Sequence, residues 1–284
     1  MGEQAPLQHP APRRLRPVTS YASVLLCDNP SVMTLEGTNT WVLRAPGRAE
    51  SVVVDPGPDD KKHLRRVAEA AGIVALTLVT HRHKDHTGGL KRWESLTRSP
   101  IRAYLPEYCI NTATPLAAGD VISVAGLDLT VLHTPGHTAD SLSFLVDVAD
   151  APSEPGALIS GDTLLGRGTT VLDPKDGGLA DYLGSLDLLG RHAAGRSLLP
   201  GHGPDHPDAA PIVAGYVAHR ADRLDQVRRA LDDMGVTAAE AKPMKVVRHV
   251  YRDVDKKVWP AARQSVRAQL DYLVAEAGGA PLEG

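Results

Sequence analysis

The residues HRHKDH at positions 81–86 directly follow the apolar run VALTLVT at positions 74–80. A run of this length, rich in β-branched residues, is typical of a buried strand. Side chains two residues apart on an extended segment point the same way, so His81 and His83 can bind one metal ion from the end of that strand. Imidazole nitrogens are common zinc ligands. The segment therefore predicts a metal site at a strand end.

The rest of this segment extends the prediction to a second ion. A turn that begins at Lys84 can bring Asp85 and His86 towards that ion, because carboxylate oxygens are zinc ligands as well. The alternative is a solvated polar loop without a metal, but three histidines and an aspartate rarely take this spacing by chance. We therefore interpret the segment as part of a two-metal centre.

Three further polar residues follow short apolar runs. They are His137 in HTPGHT, Asp162 in ALISGDT and His202 in SLLPGHGP. Taken alone, each is more typical of a Gly-containing turn than of a metal ligand. Residues at neighbouring strand ends meet at one edge of a sheet, however, so these three and residues 81–86 are expected to share one site.

The sequence divides into two parts that differ in their pattern of apolar residues. Between residues 17 and 212, short apolar runs alternate with Gly, Pro and Asp turns, which predicts a strand-rich α/β domain. Strands are predicted at 51–55, 74–80, 126–132, 141–148, 157–160 and 197–200, and a helix at 59–72. Long periodic segments follow at 218–235, 237–254 and 258–279. They predict an all-helical domain over residues 213–284, in which Pro243 begins or breaks the middle helix, and residues 1–16 are expected to form a flexible tail.

Composition excludes several classes of protein. The chain is 42% hydrophobic and 23% charged, and no apolar run approaches the roughly 18 residues of a membrane span, so no membrane association is expected. Two cysteines, Cys27 and Cys109, are too few for a disulfide framework, and the first residues lack the apolar centre of a signal peptide. These features favour a cytoplasmic location. The net charge of −3 provides no bulk attraction for nucleic acid.

The strings HRHKDH, HTPGHT, GDT and PGHG, in this order, resemble the metallo-β-lactamase superfamily over about residues 17–212. The resemblance implies a four-layer αββα sandwich with two Zn²⁺ ions per chain, or Mn²⁺ or Fe²⁺ in their place. It implies that the first ion is held by His81, His83 and His137, the second by Asp85, His86 and His202, and that Asp162 bridges the two. Asp85 and Asp162 would then orient a metal-bridging hydroxide, which makes hydrolysis the expected reaction.

Other branches of the superfamily differ at these positions. The antibiotic-hydrolysing class usually lacks a histidine at the position of His86 and has a cysteine near that of Asp162, so penicillin hydrolysis is not expected. Flavo-diiron proteins replace a histidine of the first motif with glutamate, which disfavours redox iron here.

Within the superfamily the chain is most similar to the beta-lactamase-like protein 2 family, through LEGTNTWVL at 35–43, GDTLLGRGTTVL at 161–172 and ADYLGSLDLL at 180–189. That family joins the sandwich to a small winged-helix-like C-terminal domain and implies endoribonuclease action on single-stranded RNA. The resemblance places six residues in a substrate groove, where they would contact phosphate oxygens: Thr38, Asn39, Thr40, Gly168, Thr169 and Thr170. Both segments also fit ordinary turns. Lys242, Lys245 and Arg248 are either phosphate contacts or a solvated helix face.

Two other functions stay open. Related branches are thioesterases, of the glyoxalase type or acting on acyl thioesters, in which hydroxide attacks a carbonyl. The chain has one Phe, three Trp and seven Tyr, few for base stacking. A function of another class is a nucleic-acid-binding protein with structural metals, but such sites are closed four-ligand shells. The sequence leaves monomer and homodimer equally open.

The remaining histidines are not assigned to the site. His133 is expected to support the ligands or to belong to a strand. Surface or helix positions are expected for His9, His63, His192, His206, His219 and His249. Asp55 in VVVDPG either supports the metal ligands from behind or forms a turn.

Overall fold

The computed structural model describes residues 9, 11–173, 176–252 and 255–279. Most of the predicted N-terminal tail, residues 1–8 and 10, lies outside the described residues, as does the C-terminal end from residue 280. The helices, strands and contacts of this chain given in the following paragraphs belong to the described residues.

Six strands form the first sheet, in chain order. They are β1 (Leu15–Pro17), β2 (Ala22–Leu26), β3 (Asn39–Leu43), β4 (Glu50–Val54), β5 (Ile73–Leu78) and β6 (Ile101–Arg102). Neighbours from β1 to β4 are antiparallel, whereas β4, β5 and β6 run parallel. The sheet is mixed, so polar residues that follow β4 and β5 emerge at the same edge.

Five strands form the second sheet. They are β7 (Val121–Val124), β8 (Leu127–His133), β9 (Leu142–Val148), β10 (Ala157–Gly161) and β11 (Ser197–Pro200), in the order β11-β10-β9-β8-β7. Only the pair β10 and β11 is parallel. The runs that the sequence predicts as strands all form strands, because their apolar residues are needed on buried sheet faces.

Seven helices surround the sheets. They are α1 (Lys61–Ala71), α2 (Lys84–Thr87), α3 (Leu90–Thr97), α4 (Leu179–His192), α5 (Ala210–Met234), α6 (Pro243–Val250) and α7 (Trp259–Glu276), with 3-10 turns at Pro106–Tyr108 and Lys256–Val258. The predicted helix at 59–72 corresponds to α1. Asp60 caps it by accepting hydrogen bonds from the backbone amides of Lys62 and His63.

The core consists of three buried clusters of side chains, one between each pair of adjacent layers. Between the sheets, residues of both inner faces form one buried cluster, among them Trp41, Val52, Leu78, Leu129, Phe144 and Ile159. On the outer face of the first sheet, α1 and α3 bury Leu64 and Trp93. On the outer face of the second sheet, α4 and the C-terminal helices bury a third cluster. This arrangement confirms the four-layer αββα sandwich.

The C-terminal region is helical, as predicted, and consists of α5, α6 and α7 in the described part of the chain. Pro243 is the first residue of α6, where its missing amide hydrogen costs no hydrogen bond. The first of these helices begins at Ala210 rather than near residue 218, because Pro211 is compatible with a first turn and Gly215 weakens the periodic pattern. No described helix combines the length and the apolarity needed to cross a bilayer.

His63 provides a test of this packing that is independent of the metal ligands. It lies on α1 with only 3% of its surface exposed, and its ring is 2.9 Å from the hydroxyl of Thr40. Burial lowers the pKa of His63 from 6.5 to about 4. Between these pH values the unfolded chain binds more protons than the folded protein, so stability falls as the pH drops.

Replacing His63 with Gln should therefore reduce acid sensitivity. We expect the wild type to lose about 2 kcal/mol more of its unfolding free energy than His63→Gln between pH 7 and pH 5. Urea unfolding of both chelator-treated proteins measures the difference, since all other titrating groups are shared. Equal losses in the two proteins would show that His63 is not held neutral by burial.

Candidate metal centre

The seven predicted ligands emerge from the ends of strands in both sheets. His81 and His83 follow β5, and Asp85 and His86 lie on α2, which begins directly after His83. The second sheet contributes the other three, namely His137 beyond β8, Asp162 directly after β10 and His202 beyond β11. The structure brings all seven side chains together at one edge of the sandwich.

Three histidines form the first group. The Nδ1 atom of His83 lies 3.0 Å from Nε2 of His81 and 3.0 Å from Nε2 of His137. The rings of these three residues are nearly perpendicular to one another, with interplanar angles of 79 to 82°. These three ring nitrogens therefore lie close enough together to bind one ion.

Asp85, His86 and His202 form the second group. Oδ2 of Asp85 lies 3.2 Å from Nε2 of His86 and 3.1 Å from Nε2 of His202. His86 and His202 are almost completely buried, whereas a quarter of the Asp85 side chain is exposed. Asp85 is thus the member of this group that solvent and small molecules can reach.

Asp162 lies between the two groups. Its Oδ2 atom is 3.9 Å from Nε2 of His81, 3.7 Å from Nε2 of His137 and 3.1 Å from Nε2 of His202. Its Oδ1 atom is 3.6 Å from Nε2 of His86. One carboxylate therefore faces both groups, which is the position that a bridging ligand requires.

The donor set fits divalent cations. Ligands about 2.1 Å from a tetrahedral zinc ion are roughly 3.4 Å from one another, and the distances within the cluster, 3.0 to 3.9 Å, bracket that value. Nε2 of His86 and Oδ1 of Asp162 are buried and have no hydrogen-bond partner within the described residues. Buried polar atoms are almost always satisfied, so these two are suited to coordinate an ion.

Asp55 supports the cluster from behind. Its carboxylate accepts hydrogen bonds from the backbone amide of Thr80 at 2.8 Å and the hydroxyl of Thr80 at 2.7 Å, and lies 2.8 Å from Nδ1 of His86. The Thr80 hydroxyl in turn lies 3.0 Å from Nδ1 of His81. Of the two roles that the sequence left open for Asp55, the geometry is that of a supporting residue.

The other histidines of the cluster are also oriented through their second ring nitrogen. Nδ1 of His137 donates to the carbonyl oxygen of Val171 at 2.6 Å, and Nδ1 of His202 donates to that of Gly37 at 3.0 Å. Nε2 of His83 is 3.5 Å from the carboxylate of Asp173. These partners fix the orientation of each ring, and in the neutral form of the ring they hold the proton on the outer nitrogen, so that the inward nitrogen can act as a ligand.

The electrostatics of the cluster favour positive charge at its centre. Burial and the nearby His86 hold the pKa of His81 well below its usual value, so His81 is neutral. Burial alone would raise the pKa of Asp162, but His202 and His86 outweigh it and keep the carboxyl ionised. Burial lowers the pKa of His202, yet Asp162 and Asp85 raise it to about 9. Protons or bound cations must balance these carboxylates.

The residues predicted to line a substrate groove do not all do so. A cavity of about 170 Å³ adjoins the cluster, and its lining includes Gly168, Thr169 and Thr170. The side chains of Asn39 and Thr40 are instead fully buried: Asn39 donates to the carbonyl oxygens of Pro200 and Gly203, and Thr40 to that of Asp55. These two residues hold the framework of the site.

Thr38 is buried as well, but it touches the cluster directly. Its hydroxyl donates to Oδ2 of Asp85 at 3.2 Å, and its backbone pairs with that of His202.

Three cationic residues were left open as phosphate contacts by the sequence, namely Lys242, Lys245 and Arg248. They are exposed on or beside α6 and line neither the cavity beside the cluster nor the larger cavity next to α7.

Sequence reasoning did not identify two features of the site. The first is Asp173, which accepts a hydrogen bond from Arg82 at 2.7 Å and lies next to His83. It begins the sequence DPKDGG, and no local pattern marks it. The second is the apolar rim of the cavity, where Val32 is 95% and Met33 57% exposed.

The histidines that the sequence analysis did not assign to the site lie in several different parts of the molecule. His133 ends β8 and its Nε2 atom donates to the carbonyl oxygen of Ala139 at 2.8 Å, away from the cluster. His63 is buried on α1, whereas the remaining described histidines are at least partly exposed, namely His9, His192, His206, His219 and His249.

Known proteins share both parts of the chain. Residues 33–206 match the Metallo-beta-lactamase superfamily, and residues 243–277 match the Beta-lactamase associated winged helix domain. A beta-lactamase-like protein 2 homolog from Drosophila melanogaster is 32% identical over 94% of this chain and 91% of its own length. An atrochrysone carboxyl ACP thioesterase from Cryptosporiopsis sp. is 28% identical over 82% of this chain and 69% of its own length.

Solved structures agree with this assignment at the level of the fold. A beta-lactamase domain protein from Burkholderia ambifaria superposes with a TM-score of 0.75 at 24% identity and covers 95% of this chain and 90% of its own. The matched region contains all seven residues of the cluster. The chain therefore belongs to the metallo-β-lactamase superfamily of metal-dependent hydrolases, with a C-terminal winged-helix-type domain.

Proposed function

We propose that this protein is a dinuclear metal-dependent hydrolase in which seven side chains bind two zinc ions. His81, His83 and His137 hold one ion, Asp85, His86 and His202 hold the other, and Asp162 bridges them. The observation that carries the proposal is the position of the Asp162 carboxylate, whose oxygens lie 3.1 to 3.9 Å from histidine nitrogens of both groups.

The chain's own residues prepare this site for hydrolysis. When bound, two divalent ions lower the pKa of a water molecule and so supply hydroxide at neutral pH. Asp162 and Asp85 would offset part of the charge of the ions. Asp85 is the more exposed of the two carboxylates, so it is the one that can accept a hydrogen bond from a water molecule entering through the cavity.

The surroundings of the site favour an acyl ester or thioester as substrate. Val32, Met33 and Val171 line the mouth of the cavity with 95%, 57% and 42% of their surfaces exposed. Exposed apolar side chains grouped at a cavity mark a surface that binds apolar groups. Thioesterases among the similar proteins are consistent with this substrate class.

Single-stranded RNA is the second candidate, and the loop at 168–170 supports it. Gly168 and Thr169 are exposed beside the cluster, where backbone amides and a hydroxyl can contact phosphate oxygens. Against it, no Phe, Tyr or Trp is found among the described residues that line this cavity, although base stacking on such rings is the usual basis of single-strand binding.

A side-by-side assay separates these substrates. We expect zinc-reconstituted protein to hydrolyse a medium-chain acyl thioester more efficiently than a labelled single-stranded RNA, and to leave a chromogenic cephalosporin intact. Parallel reconstitution with Mn²⁺ and Fe²⁺ identifies the preferred ion. Cleavage of RNA alone would show that RNA rather than an acyl thioester is the substrate class. That result would not contradict the proposed metal centre.

Asp162→Ala tests the centre itself. Because Asp162 faces both groups, we expect this variant to bind fewer than two zinc ions per chain and to lose at least about 10³-fold in kcat/KM. Elemental analysis and melting curves accompany the kinetics. A folded variant that keeps two ions and full activity would contradict the bridging role.

Asp55→Asn tests the supporting carboxylate without changing its size. The amide of Asn cannot accept hydrogen bonds from both Thr80 and His86 as the carboxylate does, so we expect zinc affinity to fall about 10- to 100-fold. Competition with a chromophoric chelator measures the affinity. Asp59→Asn is the matched control, since Asp59 lies on the surface and pairs with Arg92 instead, and its affinity should equal that of the wild type.

Gly201→Ala tests how tightly the cluster is packed. A Cβ atom at Gly201 would lie 2.3 Å from Oδ1 of Asp162 and 3.0 Å from Cε1 of His86. We expect the methyl group to displace the carboxylate and reduce zinc content, as elemental analysis will show. Gly215→Ala is the control, because nothing lies near its Cβ position on α5. Unchanged zinc content in both variants would contradict the packing described here.

A further inference from the structure

A second and larger cavity lies near the small one beside the cluster. It measures about 620 Å³ and lies between residues 170–173 and 177–180 on one side and α7 on the other, with Arg220 of α5 in its wall. Thr170 and Val171 line this cavity and the smaller one beside the cluster. The two cavities are therefore neighbours that share these wall residues, and we refer to the larger one as the distal chamber.

Most of the distal chamber is apolar. Its walls include Leu172, Leu179, Ala180, Pro260, Ala268 and Ala275. A volume of about 620 Å³ lies within the range of roughly 300 to 1,000 Å³ found for small-molecule sites. The chamber can thus receive an apolar chain or ring system of moderate size.

Two buried polar side chains also belong to its wall. Arg220 is 8% and Gln269 5% exposed, and Nε of Arg220 and Oε1 of Gln269 have no hydrogen-bond partner within the described chain. Buried donors and acceptors are retained unpaired only rarely. A hydrogen-bonding ligand or an ordered water molecule at this wall would supply the missing hydrogen-bond partners of both side chains.

Positive charges outnumber negative ones in the wall of the distal chamber, which contains Arg220, Arg263 and Arg267 against Asp173 and Asp271. Asp173 is itself paired with Arg82, outside the chamber. Arg220 donates to the carbonyl oxygen of Thr170 and packs over the ring of Tyr182, without a carboxylate partner in the described structure. Arg263 is exposed on α7 and likewise has no carboxylate partner there. Arg267, by contrast, is paired with Asp271 at 3.2 Å. Two uncompensated guanidinium groups beside apolar walls favour a ligand that is both apolar and anionic.

We propose that the distal chamber binds the part of the substrate that is not cleaved, and that this part is an apolar chain carrying a carboxylate or phosphate group. This inference rests on the hydrolase function proposed above, because it assigns the chamber to the same substrate. Tyr272 is the one aromatic residue among the described lining residues, so the chamber lacks the row of stacking rings that RNA would use.

Calorimetric titration of the zinc-loaded protein tests the proposal with dodecanoate, dodecyl phosphate and dodecyltrimethylammonium. We expect the two anions to bind with one site per chain and the cation not to bind, and the tighter anion identifies the head group. Binding should persist after treatment with a chelator, since the chamber is separate from the metal ligands. Loss of all binding with the metal would place the anions at the zinc ions and overturn the proposal.

Two substitutions locate the site. Arg263→Gln should weaken both anions about fivefold, as expected for one exposed charge pair, and Ala268→Trp, which fills the chamber, should weaken them more than tenfold. Arg229→Gln is the matched control, because Arg229 is exposed on α5 and outside the chamber. Circular dichroism verifies folding, and Arg263→Gln decides the matter if Ala268→Trp does not fold.

The outcomes are distinct from those of the hydrolase assay. If neither substitution changes anion binding, the proposal that the anions bind in the distal chamber is wrong, whatever substrate the protein hydrolyses. Displacement of dodecyl phosphate by a twelve-nucleotide oligouridylate, lost in Arg263→Gln, would assign the chamber to RNA and also overturn the proposal. Absence of hydrolysis with intact anion binding would instead count against the proposed function alone.

Discussion

The buried carboxylate of Asp55 is the group on which the geometry of the candidate metal centre depends. It is 2% exposed and binds the backbone and hydroxyl of Thr80 and the ring of His86, so it fixes the end of β5 and the start of α2 together. Asp55 adopts a φ of +52°, a conformation that costs about 1 kcal/mol for a residue with a Cβ atom. The hydrogen bonds, strengthened by burial, offset that cost.

The two-sheet architecture explains why the donors converge without a local motif holding all of them. One sheet contributes His81 and His83, and the other contributes His137, Asp162 and His202. Packing of the inner sheet faces sets the distance between these strand ends, because a core with native packing density resists displacement. The position of each ligand is therefore determined by the core rather than by its neighbours in the sequence.

The short sequence motifs predicted the candidate site, whereas the hydrophobic periodicity predicted only helices and strands. The spacing in residues 81–86 and the polar residues after β10 and β11 indicated the cluster. The sequence did not show that the strands leading to these residues belong to two sheets, whose ends meet at one edge of the sandwich. Asp173 and the apolar rim were not predicted, since contacts between distant loops leave no local pattern. Asn39 was expected to face a substrate, but its amide satisfies two backbone carbonyls of the β11 loop, a long-range requirement that the string GTNT does not reveal.

The C-terminal helices are part of the site's construction. Arg220 on α5 donates to the carbonyl oxygen of Thr170, and the hydroxyl of Thr170 donates to that of Asp162. Tyr216, also on α5, accepts a hydrogen bond from the amide of Leu165. The segment that carries Asp162 is thus held from both sides, by the sheet through β10 and by α5 through these contacts. Because Arg220 also lines the distal chamber, one side chain of α5 takes part both in holding this segment and in forming the chamber wall.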